Sequence, residues 1–273
     1  MEIKARGLTF DVYEGGPSDG DPVLLLHGFP QDHREFDRLA PQLHEKGLRT
    51  YAIDQRGTSP GARPADVGAY RMSEPTADAV AVLDALGIES AHVIGHDWGA
   101  VVGWWLASGY PERVRTLTAV SVPHPKALGL ALRVRASQRA RMAYFKLFQS
   151  RIAERFLLAR DAAALRAMFQ PIGATGDKYV ESMQTEPGRL TAGLNWYRAT
   201  TGGSPDSPGI IRVPTTYVWS DRDGVVGLTA ALRTRDWGDA DYQLVAMRGI
   251  SHWVPEQAPA ALADAALARI GLV

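Results

Sequence analysis

The sequence contains no cysteine, carries no net charge and has no long apolar run. Without cysteine there is no disulfide, thiolate metal site or cysteine nucleophile, and the cytoplasm is the simplest compartment for such a chain. The balance of 30 basic against 30 acidic residues provides no overall field for nucleic acid or an anionic membrane. The longest apolar run, residues 100–107, is far shorter than the roughly 20 residues of a membrane-spanning helix. The amino-terminal residues also lack the apolar segment of a secretory signal. We therefore expect a cytoplasmic protein that binds neither nucleic acid nor membrane.

The rest of the composition, with 273 residues of which 45% are hydrophobic, fits a globular protein with a sizeable core. Short segments that are rich in β-branched residues and bounded by Gly, Pro or Asp predict strands. They lie at 8–13, 22–27, 49–54, 91–96, 114–122, 214–219 and 241–247. Helical patterns lie at 32–46, 73–86, 98–109 and 259–270. Strands that alternate with helices predict the α/β class, with a mostly parallel central sheet flanked by helices.

A helical, Ala/Arg-rich stretch at 126–212 interrupts this alternation and contains no buried-strand pattern. Because such an insertion cannot join the sheet, we predict that it covers one end of the sheet as a helical cap. The predicted core then comprises residues 1–125 and 213–273. Within the insertion, residues 126–160 hold nine Lys or Arg against one Glu. A solvated helix face is the simplest interpretation of this charge, and an acidic substrate or partner is the alternative.

The sequence Gly-His-Asp-Trp-Gly at 95–99 stands where a predicted strand ends and a helix begins. Glycines on both sides allow a tight strand-to-helix turn, which presents the central Asp97 above the sheet and beside the free amides of the helix. A carboxylate at this point can displace a leaving group from saturated carbon and become an alkyl ester. The alternative is that Asp97 only caps the helix, a role in which Asp is common.

Three further groups that follow predicted strands would complete such a site. The His-Gly-Phe-Pro turn could aim the amide of Phe29 at the nucleophile, and with the amide of Trp98 it would form an oxyanion hole. His252 follows the last predicted strand, where an acid would orient its ring and its other nitrogen would activate water. Asp221 and Asp223 both lie on the preceding post-strand loop. We favour Asp223 as the acid, because Asp221 is close enough to the strand end to form the turn.

Taken together, the motifs resemble those of α/β-hydrolases with an aspartate nucleophile, the group of epoxide hydrolases and haloalkane dehalogenases. The resemblance extends over nearly the whole chain, through HGFP at 27–30, DQRG at 54–57, GHDWG at 95–99, the acidic loop at 220–224 and GISHW at 249–253. It implies the α/β-hydrolase fold, a small apolar epoxide and water as substrates, and no metal or organic cofactor. A homodimer is compatible with the sequence, which leaves the oligomeric state open.

The resemblance also implies that two cap tyrosines hold the epoxide oxygen. Tyr197, in Asn-Trp-Tyr-Arg, matches the second of these, and Tyr144, four positions before Phe-Gln, matches the first. Opening an unactivated epoxide puts negative charge on its oxygen, which two phenols can stabilise and protonate. Ordinary packing within the cap is the alternative for both tyrosines. Phe29, Trp98 and Trp253 are expected to contact the substrate with them.

A haloalkane dehalogenase would share every step except the leaving group, and a non-catalytic ligand-binding protein of the same fold is the alternative from another class. Departing halide needs N–H donors, yet Phe29 stands where many dehalogenases carry Asn, and a phenyl ring donates nothing. Fluoroacetate-cleaving relatives hold a carboxylate with arginines after the nucleophile, whereas residues 98–108 contain no Arg or Lys. Binding alone needs no nucleophile with a poised base, so the sequence favours an epoxide hydrolase, a hydrolase of ether bonds. Trp104 and Trp105, on the helix after Asp97, are expected to lie in the core.

Overall fold

The structure is a computed structural model that describes residues 1–200 and 207–272. Residues 201–206 of the predicted cap lie outside the described residues. The central sheet has eight strands in the order β1-β2-β4-β3-β5-β6-β7-β8, in which the pairs β1–β2 and β2–β4 are antiparallel and the other pairs are parallel. The strands are β1 Glu2–Ala5, β2 Leu8–Gly15, β3 Asp21–Leu26, β4 Leu48–Ile53, β5 Ala91–His96, β6 Val114–Val120, β7 Thr215–Ser220 and β8 Tyr242–Met247. The predicted mostly parallel sheet is confirmed.

Twelve α-helices lie among the described residues. They are α1 Ala40–His44, α2 Ser73–Ala85, α3 Trp98–Gly109, α4 Pro125–Val134, α5 Ala136–Arg141, α6 Tyr144–Phe148, α7 Ala153–Met168, α8 Asp177–Thr185, α9 Arg189–Arg198, α10 Leu228–Arg233, α11 Val254–Gln257 and α12 Pro259–Ile270. Short 3₁₀ helices lie at His33–Phe36, Pro60–Ala62, Val67–Tyr70, Pro111–Arg113, Gln170–Gly176 and Thr234–Trp237. Among the described residues, no helix is both long enough and apolar enough to cross a bilayer.

The sheet separates two apolar layers, and β3 shows how the sequence produces them. Leu24 and Leu26 belong to a buried cluster with residues of α2 and α3, whereas Val23 and Leu25 belong to a second cluster with residues of α1 and α12. Successive side chains of a strand point to opposite faces, so a continuous apolar run serves both layers. This arrangement leaves the carboxyl ends of the parallel strands at one edge of the sheet, where the loops after β3, β5, β7 and β8 come together.

Two details differ from the sequence predictions. The predicted helix at 32–46 is a 3₁₀ turn followed by the separate helix α1, because Pro41 lies in the first turn of α1 and cannot continue a preceding helix. Asp32 caps the 3₁₀ turn by accepting a hydrogen bond from the Arg34 amide. The edge strand β1 was not predicted, since its four residues carry no clear apolar alternation and it pairs only with β2.

Helices α4 to α9 lie between β6 and β7, and the described part of this insertion contains no strand. The insertion is attached to loops that follow the strands: the indole of Trp196 donates to the Arg56 carbonyl at 2.9 Å, and Arg189 pairs with Asp32 at 2.6 Å. Eight of the nine basic residues in 126–160 are exposed, as a solvated face requires. The division into a core and a cap stays a prediction.

Candidate active site

Asp97 lies at a sharp turn between β5 and α3, with a φ of 51°. Its flanking glycines are required sterically: a Cβ on Gly99 would stand 1.9 Å from the Leu26 carbonyl oxygen, and one on Gly95 would stand 2.3 Å from the Gly99 carbonyl oxygen. The strained φ of a non-glycine residue is typical of functional positions. Although Asp97 is the residue before α3, its side chain makes no capping hydrogen bond. The buried carboxylate is therefore turned to other partners.

The turn after β3 provides one of those partners. The amide of Phe29 donates to Asp97 Oδ1 at 3.0 Å. This approach depends on Gly28, because a Cβ there would stand 2.5 Å from the Cβ of Asp97. Trp98 is the first residue of α3, so its amide is among those that have no partner within the helix. The amides of Phe29 and Trp98 are those predicted for an oxyanion hole. The Phe29 amide is hydrogen-bonded to the Asp97 carboxylate, and Trp98 directly follows Asp97 in the chain.

His252 lies between two carboxylates. Its Nδ1 is 2.9 Å from Asp223 Oδ2 and its Nε2 is 3.3 Å from Asp97 Oδ2. The other oxygen of Asp223 accepts the amides of Val225 and Val226, at 2.6 and 3.0 Å, which fixes the carboxylate towards the ring. The geometry thus brings Asp97, His252 and Asp223 into one hydrogen-bonded row.

Asp221 does not reach this row. Its Oδ1 accepts the amide of Gly249 at 2.7 Å, so Asp221 holds the turn that leads from β8 to His252. This is the turn-forming role that the sequence suggested for Asp221 on its position alone.

The charges of His252 and of its two neighbouring carboxylates stabilise one another. Burial opposes a positive charge on His252, but the charge and hydrogen bond of Asp223, together with Asp97, raise the pKa of His252 to about 10. Burial would by itself raise the pKa of Asp97, yet the hydrogen bond to His252 lowers it below its usual value. In the free protein the two directions favour an imidazolium held between carboxylates.

This charge distribution predicts a pH-dependent stability. Below about pH 6.5 both the folded and the unfolded chain hold the His252 proton, so the stabilisation is complete. As the pH rises towards 10 only the folded chain holds it, and the free energy of unfolding should fall by up to about 1.4 kcal/mol per pH unit. Urea unfolding of the wild type and His252→Gln at several pH values measures the difference. A difference that stays constant between pH 7 and 10 would contradict the assignment.

Tyr144 on α6 and Tyr197 on α9 lie together, with ring centroids 6.1 Å apart. Burial raises the pKa of both phenols well above the ordinary value; the Asp97 charge acts in the same direction on each, and Tyr144 adds to the shift of Tyr197. Both hydroxyls are therefore protonated donors at neutral pH. The ring of Tyr197 is fixed by edge contacts with Phe29, Trp98, Phe145 and Phe148.

A cavity of about 870 Å³ connects these groups, since Asp97, Trp98, Tyr144 and Tyr197 all line it. Most of its other lining side chains are apolar, and several of these come from α3, α4 and α6. They include Val101, Trp105, Val122, Leu128, Leu132 and Phe145. A lining of this kind suits an apolar ligand with a few polar contacts.

Trp105 was predicted to lie in the core and instead lines the cavity, so this prediction was wrong. The prediction for Trp104 is confirmed: it is buried and its indole donates to the Val122 carbonyl at 3.1 Å. Helical spacing explains the difference, because Trp98, Val101 and Trp105 share one face of α3 and Trp104 does not. That spacing was available in the sequence as a signal.

Two residues predicted to contact substrate lie elsewhere. The Phe29 ring packs edge-on against Tyr197 and Phe148 and is absent from the cavity lining. The Trp253 ring packs on Phe169, and its indole donates to the Met168 carbonyl at 3.0 Å. Both therefore support neighbouring groups, and Phe29 contributes its backbone amide rather than its ring.

In the described part of the chain, one group of side chains could hold a metal ion: Asp32, His33 and Asp54. Arg34 and Arg189 each lie 2.6 Å from Asp32, and His33 Nδ1 lies 3.0 Å from Asp54. Since two guanidinium groups already neutralise Asp32, this cluster is poorly suited to a cation.

Comparison with known families agrees with the fold. The family model described as the alpha/beta hydrolase fold matches residues 21–259. The chain belongs to the α/β-hydrolase family. This α/β-hydrolase is 32% identical to the AB hydrolase superfamily protein YfhM of Bacillus subtilis, over 94% of the chain and 93% of that protein. It is 28% identical to epoxide hydrolase A of Mycobacterium tuberculosis, over 97% and 95% of the two chains.

Comparison with solved structures also identifies epoxide hydrolases as similar proteins. Epoxide hydrolase A of Mycobacterium thermoresistibile is 25% identical, with a TM-score of 0.82 and coverage of 99% of this chain and 97% of that one. A Bacillus megaterium epoxide hydrolase bound to its diol product is 22% identical, with a TM-score of 0.88 and coverage of 99% and 100%; this likeness concerns the fold. The predicted α/β-hydrolase fold and the resemblance to epoxide hydrolases are thus confirmed.

Proposed function

We propose that this α/β-hydrolase converts an epoxide into a vicinal diol through a covalent ester on Asp97. The observation that carries the proposal is the shared cavity, in which a buried carboxylate and two protonated phenols face the same space. Relatives named epoxide hydrolases support the same reaction. The cavity lining supports a small apolar epoxide as substrate. Water is the second substrate.

In the first half-reaction, Asp97 attacks one epoxide carbon and the carbon–oxygen bond breaks with its electron pair on oxygen. Tyr144 and Tyr197 donate hydrogen bonds to this developing alkoxide, and one of them supplies the proton. Because burial keeps both phenols protonated, the proton is available without a metal ion or a cofactor.

In the second half-reaction, the loss of the Asp97 charge allows His252 to act as a base. Ester formation removes one of the two carboxylate charges that raise the pKa of His252, so the pKa falls and the ring can give up its proton, which returns through solvent to the phenolate left by the first half-reaction. The neutral imidazole takes a proton from water, and the resulting hydroxide attacks the ester carbonyl. Asp223 stabilises the imidazolium that forms. The amides of Phe29 and Trp98 hold the oxyanion, and the diol leaves with an oxygen from Asp97.

A single turnover in ¹⁸O-labelled water tests this order of events. Because Asp97 attacks before water, the first diol should be unlabelled, and the label should remain in the peptide that contains Asp97. Mass spectrometry of the diol and of the digested protein measures both. Label in the diol from the first turnover would mean that water attacks the epoxide directly, which would make Asp97 a base or an orienting group.

Haloalkane dehalogenation is the competing reaction, since Asp97 and His252 could perform both of its steps. The two phenols favour the epoxide, because they can protonate an alkoxide oxygen that remains in the product. Parallel assays of styrene oxide for diol and of a haloalkane for halide separate the two. The cytoplasmic location and a homodimer stay predictions from the sequence.

A further inference from the structure

Several buried polar side chains lie behind the hydrogen-bonded row of Asp97, His252 and Asp223 and have no part in the proposed reaction. Glu35 and His96 are at most 1% exposed, and Glu256 is 5% exposed. None of the three lines the substrate cavity in the described part of the chain. Burying polar groups is costly unless they are hydrogen-bonded, so their contacts indicate what they do.

Two of these contacts converge on the backbone of His252. Its carbonyl oxygen accepts His96 Nε2 at 2.9 Å and Ser121 Oγ at 2.8 Å. Ser121 follows β6 with a φ of 64°, and its own carbonyl accepts the Tyr217 hydroxyl at 2.8 Å. A strained backbone at a buried serine is typical of a residue held for a specific contact. The carbonyl of His252 is therefore held by two buried donors.

The first of these contacts determines the protonation of His96. A carbonyl oxygen can only accept, so Nε2 of His96 carries a proton. In a neutral imidazole the other nitrogen is then an acceptor. That nitrogen, Nδ1, lies 3.2 Å from Glu35 Oε2, and two acceptors cannot bond unless a proton lies between them. Either Glu35 is a neutral acid that donates, or His96 is an imidazolium paired with a carboxylate.

The surroundings favour the neutral acid. Glu35 Oε1 has no hydrogen-bond partner in the described residues, which would leave an ionised carboxylate incompletely solvated. Burial, then the nearby Glu256 and Asp97, raise the pKa of Glu35 well above its usual value. Burial and the nearby His252 lower the pKa of His96. The Gly28 amide acts in the opposite direction on Glu35, and Asp97 and Glu256 do so on His96, but the net shifts leave the proton on Glu35.

We propose that Glu35 is a positioning residue: as a neutral hydrogen-bond donor it fixes the tautomer of His96, which with Ser121 holds the backbone of His252. The inference rests on the proposed role of His252 as the base of ester hydrolysis. The ring of His252 must meet Asp223 at 2.9 Å and Asp97 at 3.3 Å. Both contacts depend on where its backbone lies, and a misplacement of about 1 Å can cost on the order of a hundredfold in rate.

Glu35→Gln and Glu35→Leu form the matched pair of variants. The glutamine amide can donate to Nδ1 of His96 without any charge, whereas leucine cannot donate. Glu256→Gln is the control, because it removes the neighbouring carboxyl, which accepts hydrogen bonds from Gln31 and Tyr179 and has no hydrogen bond to His96.

One measurement needs no substrate. The proton shared by His252 Nδ1 and Asp223 should give a low-field proton NMR signal, identified by its loss in His252→Gln. We expect this signal to keep its position in Glu35→Gln and Glu256→Gln, and to shift or to exchange away in Glu35→Leu. The second measurement is rapid-quench kinetics with styrene oxide. Glu35→Leu should slow ester decay by roughly tenfold to a hundredfold with little change in ester formation, and Glu35→Gln should restore the decay.

Equal impairment of Glu35→Gln and Glu35→Leu would overturn the inference, since it would mean that the charge of Glu35 matters. A Glu35→Leu protein with an unaltered signal and decay would overturn it as well. If Glu35→Leu does not fold, Ser121→Ala removes the other donor to the same carbonyl, and an unaltered signal in that variant is decisive against the proposal. If the wild type forms no ester on Asp97, the proposed function fails, while the NMR comparison still decides the role of Glu35.

Discussion

His252→Gln is expected to stop after the first half-reaction and to accumulate the ester. Asp97 attacks without help from the imidazole, whereas hydrolysis of the ester needs a base beside the carbonyl. Glutamine has a similar volume and no basic nitrogen. After incubation with an accepted epoxide, the intact protein should gain the mass of one substrate molecule, carried on the peptide that contains Asp97.

Three further variants make this experiment specific. Asp97→Ala should gain no mass. Asp223→Asn should accumulate the ester with slow leakage, because the imidazole remains but loses the partner that fixes its tautomer and stabilises its charge. Asp221→Asn should turn over normally, since the contact of Asp221 is with the Gly249 amide. If Asp221→Asn accumulates ester and Asp223→Asn does not, the acid is misassigned and the mechanism stands. A folded His252→Gln protein that forms no adduct with any epoxide or haloalkane the wild type consumes would rule out covalent catalysis.

Removal of the phenol hydroxyls should slow ester formation rather than ester hydrolysis. Tyr144→Phe and Tyr197→Phe should each lower the rate of styrene oxide opening by about tenfold to a hundredfold or more, because each removes one donor to the alkoxide. The double variant leaves the alkoxide without either donor, and its loss should reach about 10²–10⁴-fold. Single-turnover rates with the enzyme in excess over the substrate measure this, with circular dichroism to verify folding.

Tyr70→Phe is a suitable control for the phenols. Tyr70 borders the same cavity, but its hydroxyl donates to the Pro64 carbonyl at 2.9 Å and is directed to the protein. Its loss should change the rate far less than the loss of the Tyr144 or the Tyr197 hydroxyl. If Tyr144→Phe and Tyr197→Phe both retain the wild-type rate, the epoxide assignment fails, and halide release from a haloalkane becomes the reaction to measure.

The features that could be predicted from the sequence are those with local causes. The turn at Asp97 requires glycine at 95 and 99, because a larger residue at either position would clash with nearby backbone. The five-residue motif at 95–99 therefore predicts the turn by itself. His252 and the acid could be located because loops that follow parallel strands meet at one edge of the sheet. The choice between Asp221 and Asp223 has weaker support in the sequence, because both lie on one loop. Only the structure shows which of the two reaches His252.

The features that were missed depend on contacts between distant segments. Glu35 lies 61 positions from His96, and His96 lies 156 positions from the His252 carbonyl that it contacts. Neither spacing leaves a pattern in the sequence, and Ser121 is unremarked there because its strained φ is visible only in the backbone. The break in the helix before Pro41 and the position of Trp105 in the cavity are different. Both could have been predicted from local sequence, the first from the proline and the second from the helical face that Trp105 shares with Trp98.

The close contacts of three glycines also determine where this enzyme can be altered. Gly28 touches Asp97, Gly99 touches Leu26, and Gly95 touches Gly99, so the backbone around the carboxylate is interlocked and has no room for an added methyl group. Leu128 and Leu132 instead line the cavity from α4, and both are only partly buried. Under the proposed function, substrate preference can be redesigned from the helical insertion, while the turn that carries Asp97 is left unchanged.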